Sequence, residues 1–358
     1  MRRIILHIGP EKCGSTSIQA ALGADGPLAG VLTGVVLDPY AVHALGSDPP
    51  APALLDSFRV VIRQAQAAGR PVVLSHEMIF KSLPILTALT RLALEEADEV
   101  IAVAYVRPQS DFLVSAFGQW HFRSAERLAE AADILRRAGL DPELFWAVER
   151  HVMAAILEGW SVGRQPSGHL YLDWAESVPE RARALERLGV RLSLGCLPGR
   201  GHGRPLVADF AGRCGIGEVD ALAGLPPANP AYHPLLIEAT AAAIMAGQDM
   251  PGQGEGNDFF KASSSTALGP VPDMPFLDRL KAHVDTAFAP GNRQLAADHG
   301  LPPGRFAPAE CIDRASILSA IAEEARRRAA QPADLRQREA LARAALAGLA
   351  WRWYPKRR

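Results

Sequence analysis

Apolar residues in this chain gather into short runs, set between longer stretches of helical period. Ile4 to Ile8, Val72 to Leu74 and Val100 to Val106 are such runs. Each is too short for a buried helix and rich in β-branched residues, as expected of strands covered on both faces of a parallel sheet. His169 to Asp173 and Val190 to Leu194 predict two more strands. Phe58 to Ala68, Leu83 to Glu96, Ala125 to Gly139, Pro142 to Trp160 and Val178 to Leu188 predict helices, and another is expected from near Asp111. Strands alternating with helices predict an α/β fold: three α/β/α layers around a central parallel sheet, with the helices after Ala125 as an insertion. Residues 23 to 57, rich in Gly, Pro and Ala, read as loop with a little secondary structure. Residues 247 to 275 read as a long flexible loop that could cover a substrate. From Ile317 a helix rich in Ala, Arg and Glu is broken near Pro332. The pattern thus divides into an α/β domain over 1–315 and a helical extension over 316–358 with a basic tail.

Composition narrows the classes. The chain has 358 residues, 48% of them hydrophobic, and a net charge of −1. A near-neutral balance argues against a nucleic-acid partner. No stretch has the length and apolarity of a membrane span. The first strand starts at residue 4, which leaves no room for a signal peptide and predicts a cytoplasmic protein. The cysteines at 13, 196, 214 and 311 show neither CxxC nor zinc spacing, so free thiols and no metal are expected. The end, Trp351 to Arg358, reads first as a docked helix end with a frayed basic tip; the alternative is weak peripheral contact with anionic lipid.

The candidate chemistry begins where the first strand ends. Gly9-Pro-Glu-Lys-Cys-Gly-Ser-Thr16 joins that strand to a helix start, the arrangement that cradles phosphate with loop N–H groups and the helix dipole. A Walker A loop has Lys directly after its second glycine. Here Ser15 holds that place and the lysine is Lys12, inside the loop. The chain has 33 arginines and 5 lysines, so a lysine at this position suggests that a compact ammonium matters. Cys13, beside Lys12 at a helix N-terminus, is expected to have a lowered pKa. The Val100–Val106 run ends at Arg107. With Ser115 eight residues on, it could hold a second phosphate, the Arg as a bidentate fork and the Ser as a lone donor. The Val72–Leu74 run ends in Ser75-His76-Glu77, which supplies candidate general bases, Glu77 first and His76 in reserve.

These segments resemble the sulfotransferases that use 3′-phosphoadenosine 5′-phosphosulfate (PAPS), most closely bacterial members that begin His-Ile-Gly-x-x-Lys-x-Gly-[Ser/Thr]-Thr-Ser. The chain has His7-Ile8-Gly9, Lys12, Gly14, Ser15, Thr16 and Ser17, then Tyr105-Val-Arg107-Pro-Gln-Ser-Asp-Phe-Leu-Val-Ser115. The resemblance covers roughly residues 3 to 122. It implies a P-loop-like fold and in-line transfer of a sulfuryl group from PAPS, leaving 3′,5′-adenosine bisphosphate (PAP). In that scheme Lys12, Cys13, Gly14, Ser15, Thr16 and Ser17 hold the 5′ side, Arg107 and Ser115 the 3′-phosphate, and Glu77 or His76 takes the acceptor's proton, with no metal required. The acceptor would be a small molecule, glycan or glycolipid. Ser17-Ile18 departs from the cytosolic enzymes, which place an aromatic after the loop's Thr, and so favours the bacterial or carbohydrate branch. Arg200, His202 and Arg204 could form a late basic loop over the 3′-phosphate, and Asn292-Arg293 is similar to a late element of the bacterial proteins. An atypical kinase using ATP and Mg²⁺, or an inactive nucleotide-binding relative, remain the alternatives.

Overall fold

The computed structural model describes residues 1–159, 172–199, 205–217, 232–248, 250, 268 and 271–353. All but the last two residues of the strand expected at His169–Asp173, and the basic positions Arg200, His202 and Arg204, lie outside the described residues, as do most of the 247–275 loop and the last five residues. The chain forms two compact units, one of Met1–Arg107, Asp173–Asn229 and Gly291–Phe306, the other of Pro108–Leu172, Pro230–Pro290 and Ala307–Arg358. The boundary expected at 315/316 falls inside the second unit. Among the described residues no helix is long and apolar enough to cross a membrane.

The first unit is the α/β layer structure. Its parallel sheet is built from β1 (Arg3–Gly9), β2 (Thr33–Val36), β3 (Val72–Ser75), β4 (Glu99–Val106) and β5 (Arg191–Cys196), in the order β2-β3-β1-β4-β5. Central β1 pairs with β3 (Ile5 opposite Val73) and with β4 (Ile5 opposite Ile101). Ile4, Ile5, Leu6 and Ile8 are fully buried, because helices cover both faces of a parallel sheet. Each such side chain contributes roughly 1.5–3 kcal/mol of transfer free energy.

The helices follow from the connections. After β1 the chain enters α1 (Ser15–Leu22) and crosses to the edge strand β2; α2 (Pro39–Ala44) and α3 (Pro52–Gln66) return it to β3. The one-turn α4 (Met78–Lys81) and α5 (Leu83–Glu96) then lead to β4 on the far side of β1. Chain direction therefore reverses at the carboxyl ends of β1 and β4, the place where open α/β sheets bind ligands. β2, α2 and the start of α3 occupy the stretch expected to be loop. β2 has only four residues, and Gly34 is there because a Cβ would fall 2.5 Å from the Leu22 Cβ.

The second unit is helical: α6 (Gln109–Phe117), α7 (Ala125–Arg137), α8 (Ala147–Leu157), then, further along the chain, α11 (Pro234–Met245), the Pro275–Pro290 stretch of α12 (Pro275–His299), α13 (Arg314–Ala329) and α14 (Pro332–Trp353). The first unit also holds α9 (Trp174–Glu186) and α10 (Leu206–Arg213). A cluster of Phe117, Phe122, Leu128, Tyr232 and Leu236 fills part of the second unit's core. Buried Glu149 accepts from Arg328 Nη1 and Nη2 at 2.7 and 2.9 Å, and that guanidinium lies over the rings of Phe145 and Phe276. The helix expected from near Asp111 starts at Gln109. Asp285 of α12 accepts from the Ser110 amide at 3.2 Å and hydroxyl at 2.7 Å, so the cap comes from a distant carboxyl rather than from Ser110 or Asp111.

Candidate active site

Two glycines shape the loop between β1 and α1. Gly9 has φ +86°, and a Cβ on it would stand 3.0 Å from the Glu77 Cα, so the backbone after β3 packs directly on the loop's entry. Gly14 has φ +93°, and a Cβ there would fall 2.4 Å from Leu206 Cδ2 and 2.9 Å from Leu197 Cδ1. Among the described residues Lys12 is the single non-glycine with left-handed backbone, at φ 60°. A side chain in that region costs on the order of 1–2 kcal/mol, and glycine would avoid it. Arg107, at the exit of β4, holds the conformation: its Nη1 donates to the Lys12 carbonyl at 2.9 Å.

α1 begins without a side-chain cap. The amides of Ser17 and Ile18 close its first turn onto the Gly14 carbonyl at 3.0 and 3.1 Å. The amides of Cys13, Gly14, Ser15 and Thr16 donate to no carbonyl among the described residues. Those are the orphan donors that a helix start offers to an anion. The Thr16 side chain is exposed and Ser17 half-buried. Ser15 is buried, its hydroxyl 3.3 Å from the Pro10 carbonyl. Cys13 corrects the expectation of a reactive thiol: it is buried, and burial pushes it up to about 12 despite the lowering field of Arg107.

The two base candidates separate clearly. Burial first, then the neighbouring Glu11, raise the Glu77 carboxyl above its ordinary value, while Lys12, Lys81 and the Ser15 hydroxyl pull it back. A base tuned upward in this way suits proton abstraction near neutral pH. His76 Nδ1 accepts the Met78 amide at 3.0 Å, and burial lowers its pKa. With Nδ1 accepting, the neutral tautomer that fits this contact carries its proton on Nε2. Glu11, which the motif reading passed over, pairs with Lys81 at the end of α4. Beneath the loop, His7 Nδ1 lies 2.7 Å from Ser75 Oγ, which also accepts from Gln19 Nε2 at 3.1 Å, tying β1, β3 and α1 together. Burial lowers the His7 pKa to about 4, so it is a neutral structural group.

The first unit therefore brings Lys12, the loop amides, Ser15, Glu77 and Arg107 to one edge of the sheet. Ser115 is half-buried on α6 and belongs to the second unit. No signal in the chain's local pattern marked Glu11, inside the loop itself, or Trp174 and Arg181, which reach Arg107 and Phe80 from elsewhere in the sequence. In comparisons with known proteins, no family model, curated protein or solved structure matches this chain.

Proposed function

We propose that the chain is a PAPS-dependent sulfotransferase acting on a hydroxyl or amine of a small-molecule, glycan or glycolipid acceptor. The observation that carries the reading is Lys12: a strained, left-handed lysine, clamped by Arg107, within a loop whose adjoining amides are open to an anion. A strained residue that glycine could replace implies a use for its side chain. The residues present fit an anionic 5′-phosphosulfate: the amides of Cys13 to Thr16 and the Thr16 and Ser17 hydroxyls would hold the phosphate, with Lys12 beside the bridging oxygen. PAPS would supply a sulfuryl group already attached to a good leaving group. The chain's own work is then to stabilise charge at Lys12, orient the partners and accept the acceptor's proton on the Glu77 carboxylate. Arg107 would read the 3′-phosphate, the role that the sequence motif gives it together with Ser115.

Calorimetric titration with PAP, beside ATP with Mg²⁺, tests this. Tight metal-independent PAP binding with little for ATP is expected. Mg²⁺-dependent ATP binding without PAP binding would instead make the protein an atypical phosphotransferase, and binding of neither would remove the nucleotide reading altogether.

A further inference from the structure

One helix reaches both arms of this site. Trp174 and Arg181 stand seven residues apart on α9, two helical turns, so both side chains leave the same face roughly 10 Å apart. Trp174 Nε1 donates to the Arg107 carbonyl at 2.7 Å. Arg181 Nε donates to the Phe80 carbonyl at 3.0 Å, and its guanidinium lies 5.1 Å from the Phe80 ring centroid. The Phe80 ring meets Trp174 edge to face at 6.4 Å. Trp174, Phe80 and Arg181 are 0, 2 and 4% exposed, so these contacts work with little competition from water.

Each carbonyl held in this way belongs to a segment that needs holding. Arg107 is the first residue past β4, and its own side chain fixes the Lys12 carbonyl. Phe80 lies in α4, a four-residue helix that follows Glu77 directly. A helix that short does not sustain itself. Resting on the donor-site reading above, we infer that α9 is the brace that sets Lys12 against Glu77. Trp174 is a positioning residue for the cation arm, through Arg107, and Arg181 for the base arm, through Phe80.

Hydrogen–deuterium exchange on the free full-length protein, paired with calorimetric PAP titration, tests the brace. Trp174→Phe keeps a ring but removes the donor. It should raise exchange across residues 9–18 and weaken PAP binding about tenfold. Arg181→Met should raise exchange across residues 76–82 and leave PAP affinity at the wild-type level. Uniform exchange increases across the first unit in both variants, or no increase in the named segments, would overturn the brace. If Trp174→Phe fails to fold, two analogues at position 174 decide the point. 7-Azatryptophan, which keeps the ring N–H, should behave as wild type, and 3-benzothienylalanine, which lacks it, should behave as the Phe variant was expected to. Equal behaviour of the two analogues would refute the role of the N–H. A wild-type protein that ignores PAP would end the PAPS reading, and the exchange pattern would then decide the brace alone.

Discussion

Replacing Lys12 by glycine should stabilise the fold while weakening ligand binding. Lys12 sits at φ 60°, where a Cβ costs on the order of 1–2 kcal/mol. Glycine relieves that strain but carries roughly 0.5–1 kcal/mol of extra chain entropy in the unfolded state. The expected balance is a gain of about 0.5–1 kcal/mol, or about 1–3 °C in the melting temperature of the first unit. Lys12→Ala keeps the Cβ and hence the strain, so the difference between the two variants isolates the backbone contribution from the lost ammonium. Both should lose a charge-assisted bond worth about 1.5–3 kcal/mol, which weakens PAP binding roughly 10- to 150-fold. Differential scanning calorimetry gives the first number and isothermal titration the second. A Gly variant no more stable than the Ala variant would refute the strain argument. Unchanged PAP affinity in both would refute the assignment of Lys12.

Glu77→Gln should alter how stability depends on pH. A carboxyl raised in the folded state favours folding while protonated; that stability is complete below the unfolded value near 4.5 and is lost as pH rises through the folded one. The variant should therefore gain on wild type as pH rises above about 4.5 in denaturant titrations, and a variant that loses ground there contradicts the raised pKa. Arg107→Ala should weaken 5′-AMP because the Lys12 clamp is gone, and PAP further because a 3′-phosphate contact goes too. Unaffected AMP binding would sink the clamp, and equal losses for both ligands would sink the 3′-phosphate role. In the second unit, Glu149→Ala leaves the Arg328 guanidinium without its bidentate partner and should cost about 3–5 kcal/mol; a loss below about 1 kcal/mol would mean that water or Glu324 replaces the pair.

The parts of the fold legible in sequence were those governed by short-range pattern. The runs at Ile4–Ile8, Val72–Leu74 and Val100–Val106 became β1, β3 and β4 because strands buried on both faces are mostly apolar. β2 escaped because four residues with a central glycine, and a half-exposed edge position, carry little such pattern. α9 starts at Trp174, four residues before the expected start, because Asp173 caps it at the Ala175 amide and Pro179 is tolerated inside it. At the site, the loop and its lysine were visible as a motif, but the conformation was not. Lys12 is left-handed because Arg107, 95 residues away, takes its carbonyl, and Cys13 is inert because the fold buries it. Long-range contacts set both properties, and no local window contains them.

The same reasoning gives Glu11 a role that its place in the loop does not announce. Four charges meet beside β1: Glu11 pairs with Lys81, while Glu77 feels Lys12, Lys81 and Glu11 together. Burial is the largest influence on Glu77 and Glu11 the second, both upward. Glu11→Gln removes one negative charge from that field and releases Lys81 from its ionised partner, and both changes favour the charged form of Glu77. Its pKa should fall towards the ordinary value without reaching it, since burial persists. The carbon-13 shift of the Glu77 carboxyl, identified by its absence in Glu77→Gln, follows this titration directly and requires no acceptor. An unmoved or rising pKa in Glu11→Gln would show that the two carboxylates do not share a field. The basicity of Glu77 would then come from burial alone. A falling pKa would make Glu11 the residue that tunes the base, with the Lys81 ion pair holding it in place against α4.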